Sequence, residues 1–396
     1  MSTFTGSALA YQGIVAMTEE QQAIVATAQA FADEHVRPFA AQWDRDSHFE
    51  PSLVRKLGEL GFLGMLLPEE YGGLGLDAKS YLLALEEIAA ADASTAVMMS
   101  VHNSLPTQML NTYGTDAQKR QFLTPLARGE MLGAFALSES DAGSDASAIR
   151  CHAVRDGGDW IVNGSKAWIT SGTHAGVIIA MIRTDTPEDR RRSKGISAFI
   201  LTPDLLGFHI GKKEDKLGMR ASPTVTLTFD QMRVPADRML GAEGMGFIYA
   251  MQSLVHGRLG IAAQAIGIAR AAFEAAATYA NERQQFGTAI AQFQGVQFKL
   301  ADMVTRITAA RAMLHETASA KDAGVDVDAQ ASMCKLFASE TAMWVTTNAI
   351  QIFGGYGYVK DYPVERYFRD AKVTEIYEGT SEVQRIVIGR AVSAGA

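Results

Sequence analysis

Cysteine is scarce in this sequence: Cys151 and Cys334 are the only two in 396 residues. Two cysteines cannot build the disulfide framework of a small secreted domain, and they do not have the spacing of metal ligands. No other cluster of His, Cys or Asp suggests a metal site. These absences exclude disulfide-stapled domains and zinc-finger proteins, and they make a reducing compartment the expected location.

Long apolar runs are also missing. No window approaches about 18 uninterrupted apolar residues, so the sequence predicts no transmembrane helix and no membrane partner. The first 17 residues lack a basic segment followed by an apolar one, so no secretory signal is expected. We therefore expect a soluble cytoplasmic protein, or a mitochondrial matrix protein if the chain is a processed eukaryotic one.

Positive charge is in deficit, because 36 Lys and Arg residues stand against 44 Asp and Glu residues, a net charge of −8. Nucleic-acid binding requires a basic face that neutralises phosphates, so nucleic acid is not expected as the main partner. The one basic run, at residues 189–195, lies between strand-like segments and is interpreted as a solvated loop.

The chain has enough apolar residues for more than one core: 47% are hydrophobic and 20% are charged, as in ordinary globular proteins. At this length, two or three packed subdomains are expected. Apolar residues recur at helical spacing over 18–128, alternate with period two over 132–235, and return to helical spacing in three long pieces from about 246. This order predicts an α+β protein whose β part forms its own domain.

Three local signals predict helix starts and a turn. Thr18–Gln21 and Ser381–Gln384 have the spacing of helix capping boxes. Asn163–Gly164, flanked by alternating apolar residues, predicts a β-hairpin turn. Glu378 would then lie in the tight turn before the last helix, next to the flexible Gly379, an unusual position for a carboxylate.

Motifs of several common enzyme classes are absent. No Gly-x-Gly-x-x-Gly follows a strand, and there is no Walker-type phosphate loop and no Gly-x-Ser-x-Gly nucleophile elbow. His102 and His256 lie in helix-like stretches and are interpreted as packed or surface histidines rather than as catalytic bases.

Five segments are unusual in composition: "FALSESDAGSDAS" (135–147), "KAWIT" (166–170), "NERQQFG" (281–287), "QIFGGYGY" (351–358) and "EIYEGTSEVQ" (375–384). Taken singly, the first four have ordinary explanations: a loop, a buried Trp, a charge at a helix end and a glycine cap. In this order and at these separations they are much more specific. On the basis of these five segments, the sequence resembles the acyl-CoA dehydrogenases over essentially its whole length, most closely the short-chain and short/branched-chain enzymes.

The resemblance implies a three-domain fold. An N-terminal helical domain is expected at residues 1–130, a middle β-barrel or sandwich domain at 131–240, and a C-terminal four-helix bundle at 241–396. The segments "KDYPVERYFRDAK" and "HIGKKEDKLGMRAS" suggest the branched-chain side of the family.

The resemblance also implies the reaction. The family oxidises an acyl-CoA to the trans-2-enoyl-CoA with FAD and passes the electrons to an electron-transferring flavoprotein. By this resemblance Glu378 removes the α-proton while the β-hydrogen leaves as hydride to the flavin. The family's other location for the base aligns with Gly257, which cannot supply one. Beside Tyr377, and covered by flavin and thioester, the carboxylate should be desolvated and its pKa should rise towards neutrality.

Contacts to cofactor and substrate are implied residue by residue. Expected FAD contacts are Phe135, Ala136, Leu137, Ser138, Ser144, Trp168, Ile169, Thr170, Thr380 and Glu382, with Arg283, Phe286, Gln294, Gln351, Ile352, Phe353, Gly354 and Gly355 acting on the FAD of a neighbouring subunit. Expected substrate contacts are Ser144, Val255, Arg258 and Gly379, and no metal is expected. Because sites would be shared between subunits, a homo-oligomer is expected, as a tetramer.

One departure and two alternatives accompany this interpretation. Glu139-Ser140-Asp141 stands where the family usually has Glu-Pro-Gly, which changes a loop near the nucleotide. An oxygen-reactive acyl-CoA oxidase or related flavin monooxygenase on the same fold is one alternative. A nucleic-acid-binding relative with vestigial flavin chemistry is the other, and it would need a basic surface. Acyl groups of four or five carbons, straight or 2-methyl-branched, are expected on resemblance alone.

Overall fold

A computed structural model describes residues 16–186 and 192–394. Most of the first 17 residues, on which the expected absence of a secretory signal rests, and part of the basic run at 189–195 therefore lie outside the described residues. The N-terminal region is helical, and its first helix begins with the predicted capping box, in which the N–H of Gln21 donates to Oγ1 of Thr18 at 3.1 Å. The helices are α1 (Glu19–His35), α2 (Ala40–Asp46), α3 (Ser52–Glu59), α4 (Ala78–Ala91), α5 (Ala93–Ser104), α6 (Pro106–Tyr113), α7 (Asp116–Gln118) and α8 (Thr124–Ala127), with a π-helical turn (Lys119–Leu123) between the last two.

The middle region forms an eight-stranded sheet. Its strands are β1 (Leu132–Ala136), β2 (His152–Asp156), β3 (Asp159–Thr170), β4 (Ala175–Arg183), β5 (Ile196–Leu201), β6 (Phe208–Lys213), β7 (Thr224–Val234) and β8 (Met239–Leu240). The order is β6-β7-β3-β2-β4-β5-β8, and β1 pairs in parallel with β4. Residues of β4 alternate between a core within the sheet domain and a core against α6 and α8. Burial on both faces explains why its sequence is continuously apolar.

The predicted hairpin at Asn163–Gly164 is wrong, because both residues lie inside the single strand β3. The turn between β2 and β3 falls at Gly157–Gly158 instead. Gly164 has a φ of 137°, and a Cβ atom there would lie 2.7 Å from Cα of Cys151, so glycine permits a close backbone approach. The side-chain oxygen of Asn163 accepts a hydrogen bond from the N–H of Gln231 at 2.8 Å, beside an irregularity in the β3–β7 pairing.

The C-terminal region contains the three predicted long helices. They are α9 (Gly246–Glu282), α10 (Gln294–Asp322) and α11 (Asp328–Phe353), followed by α12 (Val364–Lys372) and α13 (Ser381–Ala394); β9 (Gln284–Gln285) and β10 (Thr288–Ala289) form a short hairpin between α9 and α10. Among the described helices, α9 is long and apolar enough to cross a membrane by length and composition, yet 89% of its most apolar window is buried in the fold. A core helix has this combination of properties.

One hydrophobic core joins the two helical regions, since α4 packs against α9 and α10 and α5 packs against α9, while α1 packs on α4 and α11 packs on α9. Buried ion pairs accompany it: the Arg270 guanidinium contacts both carboxylate oxygens of Glu87 at 2.7 Å. The domain boundaries near residues 130 and 240 stay predictions, because the helices on either side of the sheet share this core. The arrangement packs α9 against α11 and places both beside the turn that precedes α13.

Candidate active site

Glu378 lies in the turn before α13, where the sequence predicts it. Its φ is 52° and that of Gly379 is 94°, so two successive residues adopt the left-handed conformation. A glutamate rarely occupies this region, and such strain persists only where surrounding contacts hold it. The φ of residue 379 favours glycine, and a Cβ atom there would lie 2.7 Å from Nε2 of Gln384, so a side chain would also displace that amide.

The carboxylate of Glu378 rests against α9 at Gly257. A Cβ atom at residue 257 would lie 2.7 Å from Cδ of Glu378, and closer still to Oε2, so a residue without a side chain makes room for it. Both carboxylate oxygens are buried and have no hydrogen-bond partner within the described part of the chain. Buried polar groups without partners are rare in folded proteins, and they often mark functional positions.

The electrostatic surroundings of Glu378 favour its neutral form more than water does. Burial raises its pKa to about 7, while the positive charges of Lys335 and Arg258 act in the opposite direction. The expected rise is confirmed, and the surrounding protein suffices to cause it, before cofactor or substrate covers the carboxylate. A carboxyl group with this pKa is divided between its acid and base forms near pH 7, which suits proton transfer at that pH.

Two side chains hold the backbone of the turn. Nζ of Lys335, on α11, donates to the carbonyl oxygen of Gly379 at 2.8 Å. Nε2 of Gln384 donates to the same oxygen at 2.9 Å and to the carbonyl oxygen of Glu378 at 3.1 Å. These bonds fix both carbonyls of the strained pair of residues.

The last helix starts at Ser381, as predicted, but the predicted capping box does not form. Oγ1 of Thr380 accepts a hydrogen bond from the N–H of Val383 at 3.3 Å, so Thr380 is the N-cap. The Ser381 hydroxyl is buried without a partner among the described residues. The box fails because the Gln384 side chain is engaged with the turn carbonyls instead.

Arg258, predicted to contact the substrate, follows Gly257 on α9 and is buried. Its guanidinium donates to a carboxylate oxygen of Asp328 and, at 3.1 Å, to Oγ of Ser332. Its charge is therefore largely balanced by α11. The other three predicted substrate contacts are Gly379, which adjoins the carboxylate, Val255, which is half-buried on α9, and Ser144, which is exposed in the loop after β1.

The structure brings together two groups of predicted flavin contacts, the segment Phe135–Ser138 and the end of β3. The carbonyl oxygen of Ser138 accepts a hydrogen bond from the N–H of Ala167 at 2.9 Å. Trp168 has a φ of 63° and is 63% exposed, so its ring offers a flat apolar face to solvent. Ile169 instead points into the core of the sheet domain, which leaves only its backbone to contact a ligand, and Thr170 is half-buried.

The loop that departs from the family pattern is anchored by its first residue. The carboxylate of Glu139 pairs with the fully buried Lys166 at 2.7 Å and accepts the N–H groups of Arg150 at 2.6 Å and Cys151 at 3.0 Å. Ser140–Asp141 is exposed. The replacement of Pro-Gly therefore changes the outside of the loop while its anchor stays in the sheet.

Five of the eight flavin contacts predicted to serve a neighbouring subunit lie in a separate cleft. It has a volume of about 780 Å³ and lies where α9 and α11 end. Five predicted residues line it, together with three aromatic rings: Arg283, Ile352, Phe353, Gly354 and Gly355, with Tyr279, Tyr356 and Tyr362. The cleft shares no lining residue with the Glu378 turn or with β3. Residues that contact the FAD of a neighbouring subunit would lie apart from their own subunit's Glu378 turn and β3, as these do.

The remaining predicted flavin contacts, which include Ser144 and Thr380, do not line this cleft. Phe286 is 95% exposed, with a φ of 53°. Gln294 and Gln351 are also exposed, and Glu382 is exposed in the first turn of α13. Helix N-termini suit phosphate groups, so Glu382 and the capping Thr380 stand at a position where a dinucleotide could bind.

The two histidines do not act as bases in this geometry. His102 is fully buried, its Nδ1 accepts the N–H of Gly133 at 3.1 Å, and burial lowers its pKa to about 4. This confirms its interpretation as a packed histidine. His256 is half-buried on α9, and burial lowers its pKa to about 3, so it is neutral at pH 7 and a weak base.

Sequence reasoning missed three side chains around the turn: Lys335, Gln384 in its present role, and Gln264. The Tyr377 hydroxyl donates to Oε1 of Gln264, which is fully buried on α9. Helical spacing offered one usable signal, because Lys335 falls in the buried row of Ala331 and Ala338. A lysine in such a row indicates a buried partner, although the pattern does not identify it.

All three regions of the chain match domain models of one family. The acyl-CoA dehydrogenase N-terminal domain matches residues 18–130, the middle domain matches 134–232 and the C-terminal domain matches 244–393. The short-chain specific acyl-CoA dehydrogenase of Clostridium acetobutylicum is 46% identical over 372 residues, which are 94% of this chain and 97% of that relative.

Solved structures show the same similarity. Butyryl-CoA dehydrogenase from Megasphaera elsdenii superposes with a TM-score of 0.93 at 44% identity, covering 96% of this chain and 99% of the other. A chain from a structure described as the electron transferring flavoprotein of Acidaminococcus fermentans gives a TM-score of 0.93 at 47% identity, covering 95% of this chain and 98% of the other. These matches extend over the helical regions and the sheet alike.

Proposed function

The chain belongs to the acyl-CoA dehydrogenase family, and from that premise we propose that it converts a short straight or short branched acyl-CoA into the trans-2-enoyl-CoA with bound FAD. Membership makes it a flavoprotein oxidoreductase. The short substrate class is supported by its similarity to a short-chain specific enzyme and to a butyryl-CoA dehydrogenase. Acyl groups of four or five carbons, with 2-methyl branching as one form, are the proposed substrates.

The observation that carries the proposal is the unpartnered carboxylate of Glu378. It is buried, its oxygens accept no hydrogen bond from the described residues, and its pKa is about 7. Such a base has no hydrogen bond to a described residue to break before it accepts a proton. Its pKa is close to neutral pH, which suits proton transfer there. Gly257 supplies no alternative base on the facing helix.

The chain's own groups perform the proton transfer in the proposed mechanism. The α-proton moves to an oxygen of Glu378, which becomes the neutral acid that its dry surroundings favour. The backbone N–H of Glu378 holds the thioester carbonyl and acidifies the α-carbon by stabilising negative charge on that oxygen. Gly379, without a side chain, lets the backbone approach the substrate closely.

We propose FAD as the cofactor, held within one subunit by the segment Phe135–Ser138 and by Trp168 and Thr170 at the end of β3. Trp168 follows Ala167, which is hydrogen-bonded to Ser138, and a flat aromatic ligand fits against its exposed ring. Bound FAD would supply an acceptor for the β-hydrogen as hydride. The chain's role is to place the substrate between this acceptor and the base, and the packed helices around Glu378 exclude water from the base.

We propose that the active form is a homotetramer in which the aromatic cleft of one subunit completes the cofactor site of another. Arg283 and Gly354–Gly355 line that cleft, and Phe286 stands nearly free in solvent within a single chain. An electron-transferring flavoprotein is the proposed electron acceptor, since a chain 47% identical to this one comes from a structure described by that partner's name. The proposed location is the cytoplasm, or the mitochondrial matrix for a processed eukaryotic chain.

An anaerobic titration of the purified flavoprotein tests the function. Butyryl-, 2-methylbutyryl-, isobutyryl- and octanoyl-CoA are added separately while the flavin absorbance band is followed. Prompt bleaching by a short acyl-CoA, and slow bleaching by octanoyl-CoA, is the expected result. A yellow protein that none of the short substrates bleaches would remove the proposed substrate class. Admission of oxygen afterwards separates a dehydrogenase, which reoxidises slowly, from an oxidase, which releases peroxide rapidly.

A further inference from the structure

Lys335 is among the largest side chains that the fold buries completely. It lies on α11 in a buried row, with Ala331 one turn before it and Ala338 one turn after it. A lysine is almost never fully buried unless it is paired, because removing an ammonium group from water is costly. Its neighbours must therefore compensate for the buried charge.

The ammonium of Lys335 reaches the turn that carries the proposed base. Its hydrogen bond within the described part of the chain is to the carbonyl oxygen of Gly379, the residue after Glu378, at 2.8 Å. No carboxylate there forms a contact ion pair with it, and neither oxygen of Glu378 has a hydrogen-bond partner. A buried cation and a buried carboxyl group thus affect each other's ionisation without a hydrogen bond or a contact ion pair between them.

We propose that Lys335 is the positioning residue of the base: its hydrogen bond fixes the turn at Gly379, and its charge stabilises the ionised form of Glu378 in a dry pocket. The inference rests on the proposed function, in which Glu378 takes the α-proton. In that step the α C–H bond breaks and an O–H bond forms on Glu378. The electron pair of the broken bond enters the new double bond as the β-hydride leaves to FAD, and Lys335 keeps its protons throughout.

Other charged and titratable groups face this pair from each surrounding element. They are Arg258 on α9, Tyr81 on α4, Glu375 and Tyr377 before the turn, and Glu382 on α13. The charge of Arg258 is largely balanced by Asp328, whereas Lys335 has no contact ion pair in the described chain. Lys335 is consequently the cation best placed to act on Glu378.

The ionisation of the two groups is compatible with this role at neutral pH. Burial lowers the pKa of Lys335 to about 8, against the raising effect of Glu378 and Glu375. Burial raises the pKa of Glu378 to about 7. Between those two values Lys335 is charged while Glu378 is mostly ionised, so the pair holds a base and its stabilising cation together.

Gln384 provides a matched control within the same turn. Its amide donates to the carbonyl oxygens of Gly379 and Glu378 at 2.9 and 3.1 Å but carries no charge. Gln384→Met therefore removes a tether, whereas Lys335→Met removes a tether and a charge. If the lysine only held the backbone, the two variants would have the same effect on the base.

The experiment compares the FAD-loaded full chain as wild type, K335M, K335R, Q384M and E378Q. The pKa of Glu378 is read from its infrared carboxylic C=O band, assigned as the band missing in E378Q, and titrated between about pH 5 and pH 9. K335M should raise this pKa by about 1 unit or more, because an opposite charge nearby has been lost. K335R and Q384M should leave it near the wild-type value.

The rate of flavin reduction by butyryl-CoA gives the second measurement. A rise of one unit from a pKa near 7 lowers the ionised fraction of Glu378 at pH 7 from about one half to about one tenth, so K335M should react about fivefold more slowly or worse. The lost rate should return as the pH rises. Q384M, if slower, should be slower by a similar factor at every pH.

An unchanged Glu378 band titration in folded K335M overturns the inference. If K335M does not fold or retain FAD, K335Q, which keeps a hydrogen-bond donor without the charge, is titrated in its place with the same expectation. The proposed function fails by a different result. Either short acyl-CoA does not reduce the flavin of the wild-type protein, or the flavin of E378Q is reduced at the wild-type rate. The infrared titration needs no substrate, so it decides the role of Lys335 in either case.

Discussion

The carboxylate of Glu378, in the turn before α13, fills the volume that a side chain at Gly257 of α9 would occupy. A Cβ atom on residue 257 would lie 2.7 Å from Cδ of Glu378, which is shorter than the van der Waals contact distance of two carbon atoms. The family resemblance offers these two places for the base, and this chain has a carboxylate at one and no side chain at the other. The glycine is therefore part of the site, because its missing side chain leaves the volume that the carboxylate fills.

Gly257→Ala should separate stability from activity. Alanine is favoured over glycine inside a helix by about 1 kcal/mol, and the group it displaces is the movable end of a side chain, so Tm should hold or rise. The carboxylate must shift, and a displacement of this size should slow flavin reduction by butyryl-CoA about 100-fold in stopped-flow measurements.

A matched glycine on the same helix serves as the control. A Cβ atom at Gly267 would lie 2.5 Å from the backbone oxygen of Glu86 and 2.6 Å from Cβ of Ala89, so Gly267→Ala should lower Tm. Its folded fraction should reduce flavin at the wild-type rate, since the base is untouched. A wild-type rate in Gly257→Ala would show that the carboxylate position does not limit proton transfer.

Glu378→Gln should abolish proton abstraction while the protein stays folded and yellow. The amide matches the carboxylate in shape but cannot take a proton, so reduction should fall about 10³-fold or more in an anaerobic stopped-flow experiment. Glu375→Gln is the control, because Glu375 lies in the same segment, paired with Lys372. It should react at nearly the wild-type rate, and a loss as large as that of Glu378→Gln would contradict the assignment.

The same variant should change stability with pH in a predictable direction. The folded pKa of Glu378 is about 7, raised from 4.5 by burial, so above pH 7 folding must keep an anion out of water. This cost is absent below pH 4.5 and complete above pH 7, where a shift of this size corresponds to about 3 kcal/mol. Glu378→Gln lacks the cost, so its stability relative to wild type should increase between pH 4.5 and pH 8.

Chemical unfolding of both proteins at pH 5 and pH 8, at one protein concentration, measures this difference. Glu375→Gln again controls for the loss of a negative charge, and its difference from wild type should change little over the same range. A Glu378→Gln difference that is equal at both pH values would mean that Glu378 is not destabilised by burial, and the explanation of its basicity would be lost.

Features with a signal in neighbouring residues could be predicted from the sequence. The capping box at Thr18–Gln21 and the three long helices follow from spacing alone, because these bonds and faces lie within a few residues of each other. The turn at Glu378 followed from the family resemblance and from the helix start at Ser381. The raised pKa of Glu378 followed from the expectation that the carboxylate is buried. The packed helices alone cause the rise, without cofactor or substrate.

Features set by distant partners could not be predicted. Asn163–Gly164 has the sequence of a hairpin turn, but pairing of β3 with β7 along its length outweighs that local preference. Lys335 meets Gly379 across 44 positions, and Tyr377 meets Gln264 across 113. No local pattern encodes such contacts, so the residues that hold the base in place appear only in the folded structure.

Arg270→Leu should destabilise the core that joins the two helical regions. Arg270 contacts both carboxylate oxygens of Glu87 at 2.7 Å where α4 and α9 pack together, and both side chains are buried. Removing one charge leaves the other without its main partner, which should cost about 3–5 kcal/mol in chemical unfolding. Replacing both residues with leucine should recover much of that loss. Arg55→Leu, which breaks the exposed pair with Glu59, should change stability by less than about 1 kcal/mol, and equal losses in the two single variants would refute the burial argument.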